Sequence, residues 1–432
     1  MRAHQNYHSI LIGKSLSSYF KFSILESSLN SFCRIEKIMP ENIVIVAGKR
    51  TAFGALGGGL KDVSATDLSI AAGNATLAQC HLMPEKIDHI IIGNVIQSGA
   101  DAAYIPRHVG LKMGIPVDRG AYIVNRLCGS GFQSIIEAAM MIQHGDGQCI
   151  LAGGVEQMSQ IPYVARKVRF DGMRLGNFEL EDYMTSALTD LYAGIPMAIT
   201  AENLAEKYNI SREACDQYSI LTQARYKRAL ALDYFKDEIC AVKVITKKGE
   251  IIIDKDEHPK PDATLEKISG MKAIFKKDGT VTAATASGVV DGAAMSLVCS
   301  ESFAKANGLK PLAKIISWAS VGCDPKMMGI GPAPAAHRAL AKAGLSLNQM
   351  DLVEVNEAFA AQYLSVEKEL KLNSEKTNVN GGAIAVGHPL GASGTRIMNH
   401  LCYELRRRKG KYALGSACIG GGQGIAMVIE AL

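Results

Sequence analysis

The sequence NRLCGSGFQS, residues 125–134, places a cysteine among small residues just before an apolar, helix-forming run. Cysteine is nucleophilic as the thiolate, and a pKa of ~8.5 leaves only a few per cent of that form at neutral pH. A helix that begins within residues 129–132 would direct free backbone N–H groups at the Cys128 sulfur and lower this pKa. The pattern therefore predicts a nucleophilic cysteine, beside glycines that let a substrate approach the backbone. The alternative is a buried, inert thiol beside a glycine-rich turn.

A histidine lies in the glycine-rich sequence NGGAIAVGHPLGASGTR, residues 380–396. His388 stands between Gly387 and Pro389, outside any apolar stripe. A histidine in such a loop can take a proton from a thiol and later donate a hydrogen bond to an oxyanion. The alternative is a loop histidine whose ring is satisfied by a backbone carbonyl.

Two further motifs carry polar side chains next to strands or glycines. In GSACIGGGQG, Cys418 precedes three glycines, Gly420–Gly422, whose unshielded amides could line an oxyanion hole; the alternative is a tight turn after a strand. In VNEAFA, Asn356 and Glu357 follow the strand LVEV at its carboxyl end, where open α/β sheets bind ligands. The alternative there is a helix N-cap with an acid in the first turn.

Short β-branched runs alternate with longer helical segments after Met39, which predicts an α/β fold. The predicted strands are NIVIVAG (42–48), HIIIGNVI (89–96), CILAGG (149–154), LVEVN (352–356) and YALGSACIGG (412–421). The predicted helices cover residues 65–80, 132–145, 210–232 and 393–410. IDHIIIGN ends 34 residues before Cys128 and MDLVEVN ends 32 residues before His388, and in both cases a helix and a strand follow. This order predicts a duplicated α/β half.

The predicted domain organisation follows from these elements and from composition. An N-terminal half covers residues 39–159 together with about 290–309, and a C-terminal half covers residues 310–432. The interval 160–289 is more polar and contains the run DEHPKPDATLEK, which predicts an inserted domain.

Composition excludes several functional classes. The net charge of +5 is spread along 432 residues without a basic block that contains interleaved aromatics, which argues against nucleic acid as a partner. No apolar run approaches the ~20 residues that a membrane span needs. Ten dispersed cysteines without zinc spacing predict reduced thiols, no structural metal and a reducing compartment.

Residues 1–38 differ in composition from the rest of the chain. They contain five basic residues, two acidic residues and eight serines, and Ile12, Leu16, Phe20 and Ile24 recur every four residues. This is typical of an organelle transit peptide. The alternative is an untranslated extension before a start at Met39. Because the chain ends EAL and not in a peroxisomal signal such as SKL, we predict the mitochondrial matrix.

The motifs CGSG, NEAF, GHPLGASG and CIGGGQG, in this order and spacing, resemble the four active-site loops of thiolases. The resemblance extends from about Met39 to the C-terminus. It implies a layered α-β-α-β-α fold of two halves with an inserted CoA-binding loop domain. It also implies an acyltransferase that cleaves 3-oxoacyl-CoA with CoA in fatty acid beta-oxidation. CoA would be a substrate, so no cofactor is expected, and the family forms homodimers and homotetramers.

The resemblance also implies a role for each motif residue. Cys128 would attack the 3-keto carbon, His388 would accept its proton, and Cys418 would protonate the departing enolate and later activate CoA. His388 and a water held by Asn356 would form one oxyanion hole, and the backbone amides of Cys128 and Gly420 would form the other.

Six residues match CoA-binding or acyl-binding positions of the family: Lys260, Thr264, Phe275, Ser287, Met328 and Phe359. For Phe275, Met328 and Phe359 the alternative is a core position. Lys260 stands where the family commonly has an arginine, so the charge is kept but the planar fork is lost. Ala284 and Thr285, in TAATASG, depart from the usual TAGNASG.

The motifs leave three alternative functions open. The same site run backwards would make a biosynthetic acetoacetyl-CoA thiolase. The fold could also serve a non-catalytic acyl-CoA-binding protein, although the four intact motif residues argue against it. A ketoacyl synthase relative would generally have histidine or asparagine in place of Cys418.

Overall fold

The computed structural model describes residues 41–172, 175–247 and 249–432. The predictions for residues 1–38 therefore lie outside the described residues. The longer strands are β1 Ile43–Thr51, β2 His89–Gly93, β3 Gly120–Val124, β4 Cys149–Glu156, β5 Val242–Thr246, β6 Gly249–Ile253, β7 Val290–Ser300, β8 Ala313–Gly322, β9 Leu352–Val355, β10 Tyr412–Ile419 and β11 Gln423–Ala431. The longer helices are α1 Ala65–Cys80, α2 Ile105–Met113, α3 Ser130–His144, α4 Met197–Lys207, α5 Arg212–Ala231, α6 Pro332–Ala343, α7 Ala360–Leu370 and α8 Leu390–Arg408.

Nine of these strands form a mixed sheet in the order β9-β10-β11-β8-β1-β7-β4-β2-β3, and the short strands Gly54–Ala55 and Ile239–Cys240 join it. Strand β2 pairs in parallel with β3 and β4, and β9 pairs in parallel with β10. The remaining pairs between these long strands are antiparallel. Strand β7 is buried along its whole length, as expected for a strand covered on both faces.

The predicted duplication is confirmed by this topology. Strands β2 and β4 are parallel neighbours, and the chain between them ends with helix α3; strands β9 and β10 are parallel neighbours, and the chain between them ends with helix α8. The two passages IDHIIIGN and MDLVEVN contain β2 and β9. Each half therefore sends one helix from a motif loop back to its own sheet.

The elements stack in five layers, as expected for the α-β-α-β-α architecture. The core between the two halves of the sheet contains Ile135 of α3, Ile397 of α8 and Met427 of β11. Helices α1 and α2 cover the outer face of the N-terminal half, and α6 and α7 cover the outer face of the C-terminal half. Helices α3 and α8 are thus the central layer.

The first turns of α3 and α8 are in direct contact because two glycines leave room for it. A Cβ atom on Gly131 would lie 2.6 Å from the backbone nitrogen of Thr395, and one on Gly394 would lie 2.3 Å from that of Phe132. The Thr395 hydroxyl donates to the carbonyl of Gly131 at 2.9 Å. This contact brings the loop before each helix, one with Cys128 and one with His388, to the same place.

Residues 160–289 contain α4, α5 and the hairpin β5–β6, together with short elements. Asp256 in this interval pairs with buried Arg50 of β1 at 2.6 Å, and Glu238 pairs with buried His400 of α8 at 2.5 Å. These ion pairs attach the interval to the layered core. The boundaries at residues 159 and 289 stay predictions.

Among the described residues, no helix combines the length and the hydropathy that a membrane span needs.

Candidate active site

A cavity of about 310 Å³ lies where the loops before α3 and α8 meet. Its lining is mostly apolar and includes Met158, Leu188 and Leu390. Seven residues predicted from the sequence line it: Cys128, Phe275, Ser287, Met328, Phe359, His388 and Gly420. Two of the predicted catalytic side chains and four of the predicted substrate-binding residues therefore line the same cavity.

Cys128 lies two residues before α3 and is partly exposed. The predicted start of the helix is confirmed, since α3 begins at Ser130. The expected lowering of the pKa is wrong: burial raises the pKa of the Cys128 thiol to about 11. The backbone N–H groups of Gly420 and of Cys128 itself contact the sulfur and pull its pKa down, but desolvation of the thiolate outweighs them. The Cys128 thiol is therefore neutral at physiological pH, and to act as a nucleophile it would need a base.

His388 is buried and held on three sides. Its backbone N–H donates to the carbonyl of Gly288 at 2.9 Å, Nε2 lies 3.4 Å from Asn356 Nδ2, and Nδ1 lies 2.6 Å from Ser393 Oγ. Burial, and then the charge of Arg396, lower the pKa of His388 to about 3. A neutral imidazole at physiological pH can accept a proton from Cys128. Its ring partners are side chains, so the alternative of a ring satisfied by a backbone carbonyl is wrong.

Asn356 and Glu357 directly follow β9 but do not cap a helix, because α7 begins only at Ala360. The buried Glu357 carboxylate accepts hydrogen bonds from the Tyr218 hydroxyl (2.6 Å) and from Asn378 Nδ2 (2.9 Å). These hydrogen bonds hold the segment between β9 and α7 in place. The alternative, in which Asn356 caps a helix and Glu357 lies in its first turn, is therefore wrong. Asn356 Oδ1 is buried and has no hydrogen-bond partner in the described part of the chain, which suits a polar ligand or water.

Cys418 lies near the end of β10, fully buried beside Met328. Burial raises its pKa, and the neighbouring thiols of Cys128 and Cys323 act in the same direction. The glycines that follow serve two purposes. Gly421 and Gly422 have φ values of +78° and +81° in the turn between β10 and β11, while the Gly420 amide contacts the Cys128 sulfur. The turn and the amide donor are thus both present.

A second cavity, of about 640 Å³, is lined by part of the sequence DEHPKPDATLEK. Lys260, Lys267 and His258 are on its wall, and so is Ala284. The Thr264 side chain instead caps the short helix Leu265–Ser269, accepting from the backbone N–H of Lys267 at 3.4 Å. The structure therefore brings Lys260, but not the Thr264 hydroxyl, to this cavity.

Thr285, the second departure from the family pattern, is buried inside the protein. Its hydroxyl donates to the carbonyl of Thr280 and accepts from the backbone N–H of Thr282, both at 2.8 Å. It closes a local turn, whereas Ala284 belongs to the cavity wall.

Sequence reasoning missed two polar residues close to the catalytic loops, Ser393 and Glu156. Glu156 ends β4 and accepts hydrogen bonds from the backbone N–H groups of Ile96 (2.8 Å) and Gly391 (2.9 Å). Burial raises its pKa to about 7 against the effect of these amides. The sequence did contain a signal for Glu156: it lies at the carboxyl end of a buried strand, at the same kind of sheet edge as Asn356.

Two family models match the chain: "Thiolase, N-terminal domain" over residues 43–302 and "Thiolase, C-terminal domain" over residues 309–431. The chain is a thiolase. This thiolase is therefore an acyltransferase.

Among similar proteins, the mitochondrial 3-ketoacyl-CoA thiolase of Mus musculus is 55% identical over 389 residues, which are 90% of this thiolase and 98% of the relative. The crystal structure of human mitochondrial 3-ketoacyl-CoA thiolase has a TM-score of 0.89 and 55% identity, covering 91% of this thiolase and 100% of that chain. The same human enzyme in complex with CoA has a TM-score of 0.88 and 54% identity, covering 91% and 99%.

Proposed function

We propose that this thiolase is a 3-ketoacyl-CoA thiolase, which cleaves 3-oxoacyl-CoA with CoA into acetyl-CoA and a shortened acyl-CoA in fatty acid beta-oxidation. The observation that carries the proposal is the meeting of a thiol, a neutral imidazole and the Gly420 amide at one end of an apolar cavity. The names of the similar mitochondrial enzymes support it.

In the first half-reaction, the Cys128 sulfur attacks the 3-keto carbon while its proton passes to Nε2 of His388. The C2–C3 bond then breaks, leaving an acyl group on Cys128 and the enolate of acetyl-CoA. His388, now protonated, and a water held at Asn356 Oδ1 stabilise the enolate oxygen. Cys418 gives its proton to the enolate carbon, and acetyl-CoA leaves.

In the second half-reaction, the Cys418 thiolate takes the proton of the incoming CoA thiol. The CoA thiolate attacks the acyl group on Cys128, and the N–H groups of Cys128 and Gly420 stabilise the tetrahedral oxyanion. When the bond to Cys128 breaks, its sulfur recovers the proton from His388. All three side chains return to their starting states, so no cofactor is consumed.

This function is tested by comparing substrates whose acyl chains differ in length. Because Met158, Leu188 and Leu390 provide an apolar wall beside Cys128, we expect a medium-chain 3-oxoacyl-CoA to be cleaved at a higher kcat/KM than acetoacetyl-CoA. The measurement is CoA-dependent loss of the 3-oxoacyl thioester for both substrates. Cleavage of acetoacetyl-CoA alone would make the protein an acetoacetyl-CoA thiolase, and cleavage of neither would favour a binding protein.

Two groups of residues would bind CoA. Ser287 and Phe359 line the catalytic cavity, where the pantetheine arm would lie, and Lys260 lines the second cavity, where the nucleotide phosphates would lie. Phe275 and Met328 complete the apolar wall of the first cavity.

Lys260 gives a testable prediction about CoA affinity. Lys260→Arg is expected to lower the KM for CoA, because the planar guanidinium group binds phosphate with two hydrogen bonds. Lys260→Ala is expected to raise the KM, because the positive charge is lost. Both changes should be about two- to fivefold, since Lys260 is exposed to solvent. Steady-state kinetics with varied CoA measure this. The matched control is Lys267→Ala on the same cavity wall, which should leave the KM nearer to that of the wild type. Equal effects of both alanine variants would contradict a specific role for Lys260.

We also place this thiolase in mitochondria, in agreement with the names of its relatives, and more narrowly in the matrix. Protease protection of organelles with and without a permeable inner membrane tests the matrix position. A homodimer or homotetramer is proposed as its assembly, and sedimentation equilibrium measures it.

A further inference from the structure

The imidazole of His388 and the hydroxyl of Ser393 lie 2.6 Å apart, through Nδ1 and Oγ. Both residues are buried, with 5% and 1% of their surfaces exposed. Ser393 belongs to the first turns of α8, five residues after His388, so the helix itself sets the position of the hydroxyl. None of the catalytic roles assigned above involves Ser393.

The second contact of Ser393 favours one direction for its hydrogen bond with His388. Its Oγ lies 3.0 Å from the carbonyl oxygen of Pro389, the first carbonyl of the helix. A carbonyl can only accept, and a serine hydroxyl has a single proton. If that proton pointed to His388 instead, two oxygen atoms would face each other at 3.0 Å in a buried site without a hydrogen between them. This geometry favours a hydroxyl that donates to Pro389 and accepts from Nδ1–H.

The other side of the ring agrees with this assignment. Nε2 lies 3.4 Å from the Asn356 amide nitrogen, which can donate to a ring nitrogen that carries no proton. Of the described charged groups, Arg396 is the one that acts on the His388 ring, and it disfavours a second proton there.

We propose that Ser393 is a positioning residue that holds His388 as its Nδ1–H tautomer, so that Nε2 carries no proton in the cavity that His388 and Cys128 both line. The proposal deepens the thiolysis assigned above, because only this tautomer can take the Cys128 proton through Nε2. The reverse tautomer would place a proton on Nε2 and block that transfer.

The first test determines the tautomer of His388 in the absence of substrate. Its result is therefore valid even if the proposed substrate is wrong. Long-range ¹H–¹⁵N NMR of deuterated protein with ¹⁵N-labelled histidine distinguishes a protonated ring nitrogen from one with a lone pair. His388→Gln identifies the signal. At pH 8 we expect Nδ1 to be protonated in the wild type. Protonated Nε2 in the wild type would overturn the proposal.

The second test removes the acceptor. Ser393→Ala is expected to lose the Nδ1–H signature and to lower kcat about 5- to 150-fold, the range that an unpartnered buried donor costs, with the KM for CoA nearly unchanged. Alkylation of Cys128 by iodoacetamide at pH 7 should slow by a similar factor, and Ser393→Thr, which keeps a hydroxyl, should restore part of both rates.

The matched control is Ser365→Ala in α7. Ser365 is as buried as Ser393 and its hydroxyl also donates to a carbonyl four residues earlier, that of Ala361 at 2.7 Å, but unlike Ser393 it is not a hydrogen-bond partner of His388. A merely structural role for Ser393 would lower the melting temperature in both alanine variants and leave the tautomer and alkylation rates unchanged. That result would overturn the proposal.

Discussion

The Cys128→Ser variant is expected to lose thiolysis by roughly 10⁴- to 10⁶-fold, the range found when a catalytic nucleophile is removed from an enzyme. The neutral Cys128 thiol, with its pKa of about 11, can still be deprotonated by His388 as it attacks, whereas a serine hydroxyl is a far weaker acid in the same buried place. An acyl-serine would also be an ester, which the CoA thiolate cleaves less readily than a thioester.

Intact-mass spectrometry checks this result together with the rate. Wild-type protein incubated with a 3-oxoacyl-CoA in the absence of free CoA should gain the mass of one acyl group, and Cys128→Ser should not. The control is Cys80→Ser, since Cys80 is also partly exposed but lies in α1, in the outer layer. A Cys128→Ser variant that kept a tenth of the wild-type activity would rule out Cys128 as the nucleophile.

Replacing His388 with glutamine is expected to lower kcat/KM about 10²- to 10⁴-fold, because a glutamine amide can donate to an oxyanion but cannot accept a proton. The pH profile gives an independent check. Burial lowers the pKa of His388 to about 3, so the wild type should show no loss of kcat/KM near pH 6.5, where an ordinary histidine becomes protonated.

The matched control is His337→Gln, on the exposed side of α6, which should retain wild-type kinetics. A fall in wild-type kcat/KM near pH 6.5 that disappeared in His388→Gln would contradict a buried, neutral base. Both variants should keep the wild-type melting temperature within a few degrees if the effect is chemical.

Much of the fold could be predicted because several elements carry their own signals. The predicted helix at residues 65–80 matches α1, whose start is capped by Ser64 and whose apolar residues form a core face. Strand β7, with the sequence VDGAAMSLVCS, was not predicted. Its small and polar residues do not alternate, because both of its faces are covered by other parts of the chain.

The motifs predicted which residues form the candidate site, but they did not predict the pKa shifts of these residues. Cys128, His388, Asn356 and Cys418 were predicted from the residues beside them, and the resemblance gave their roles. The direction of the Cys128 pKa shift depended on burial, which the short sequence around it does not show. Ser393 and Glu156 gain their importance from residues that only the folded chain brings near them.

Because α3 and α8 are in contact at Gly131 and Gly394, the active site can form only late in the synthesis and folding of the chain. The N-terminal half carries Cys128 and the C-terminal half carries His388, and the two first turns meet only after both have been synthesised. A nascent or truncated chain holds a cysteine with no partner to deprotonate it. Thiolysis is therefore expected only after the C-terminal half has been synthesised and has packed against the N-terminal half.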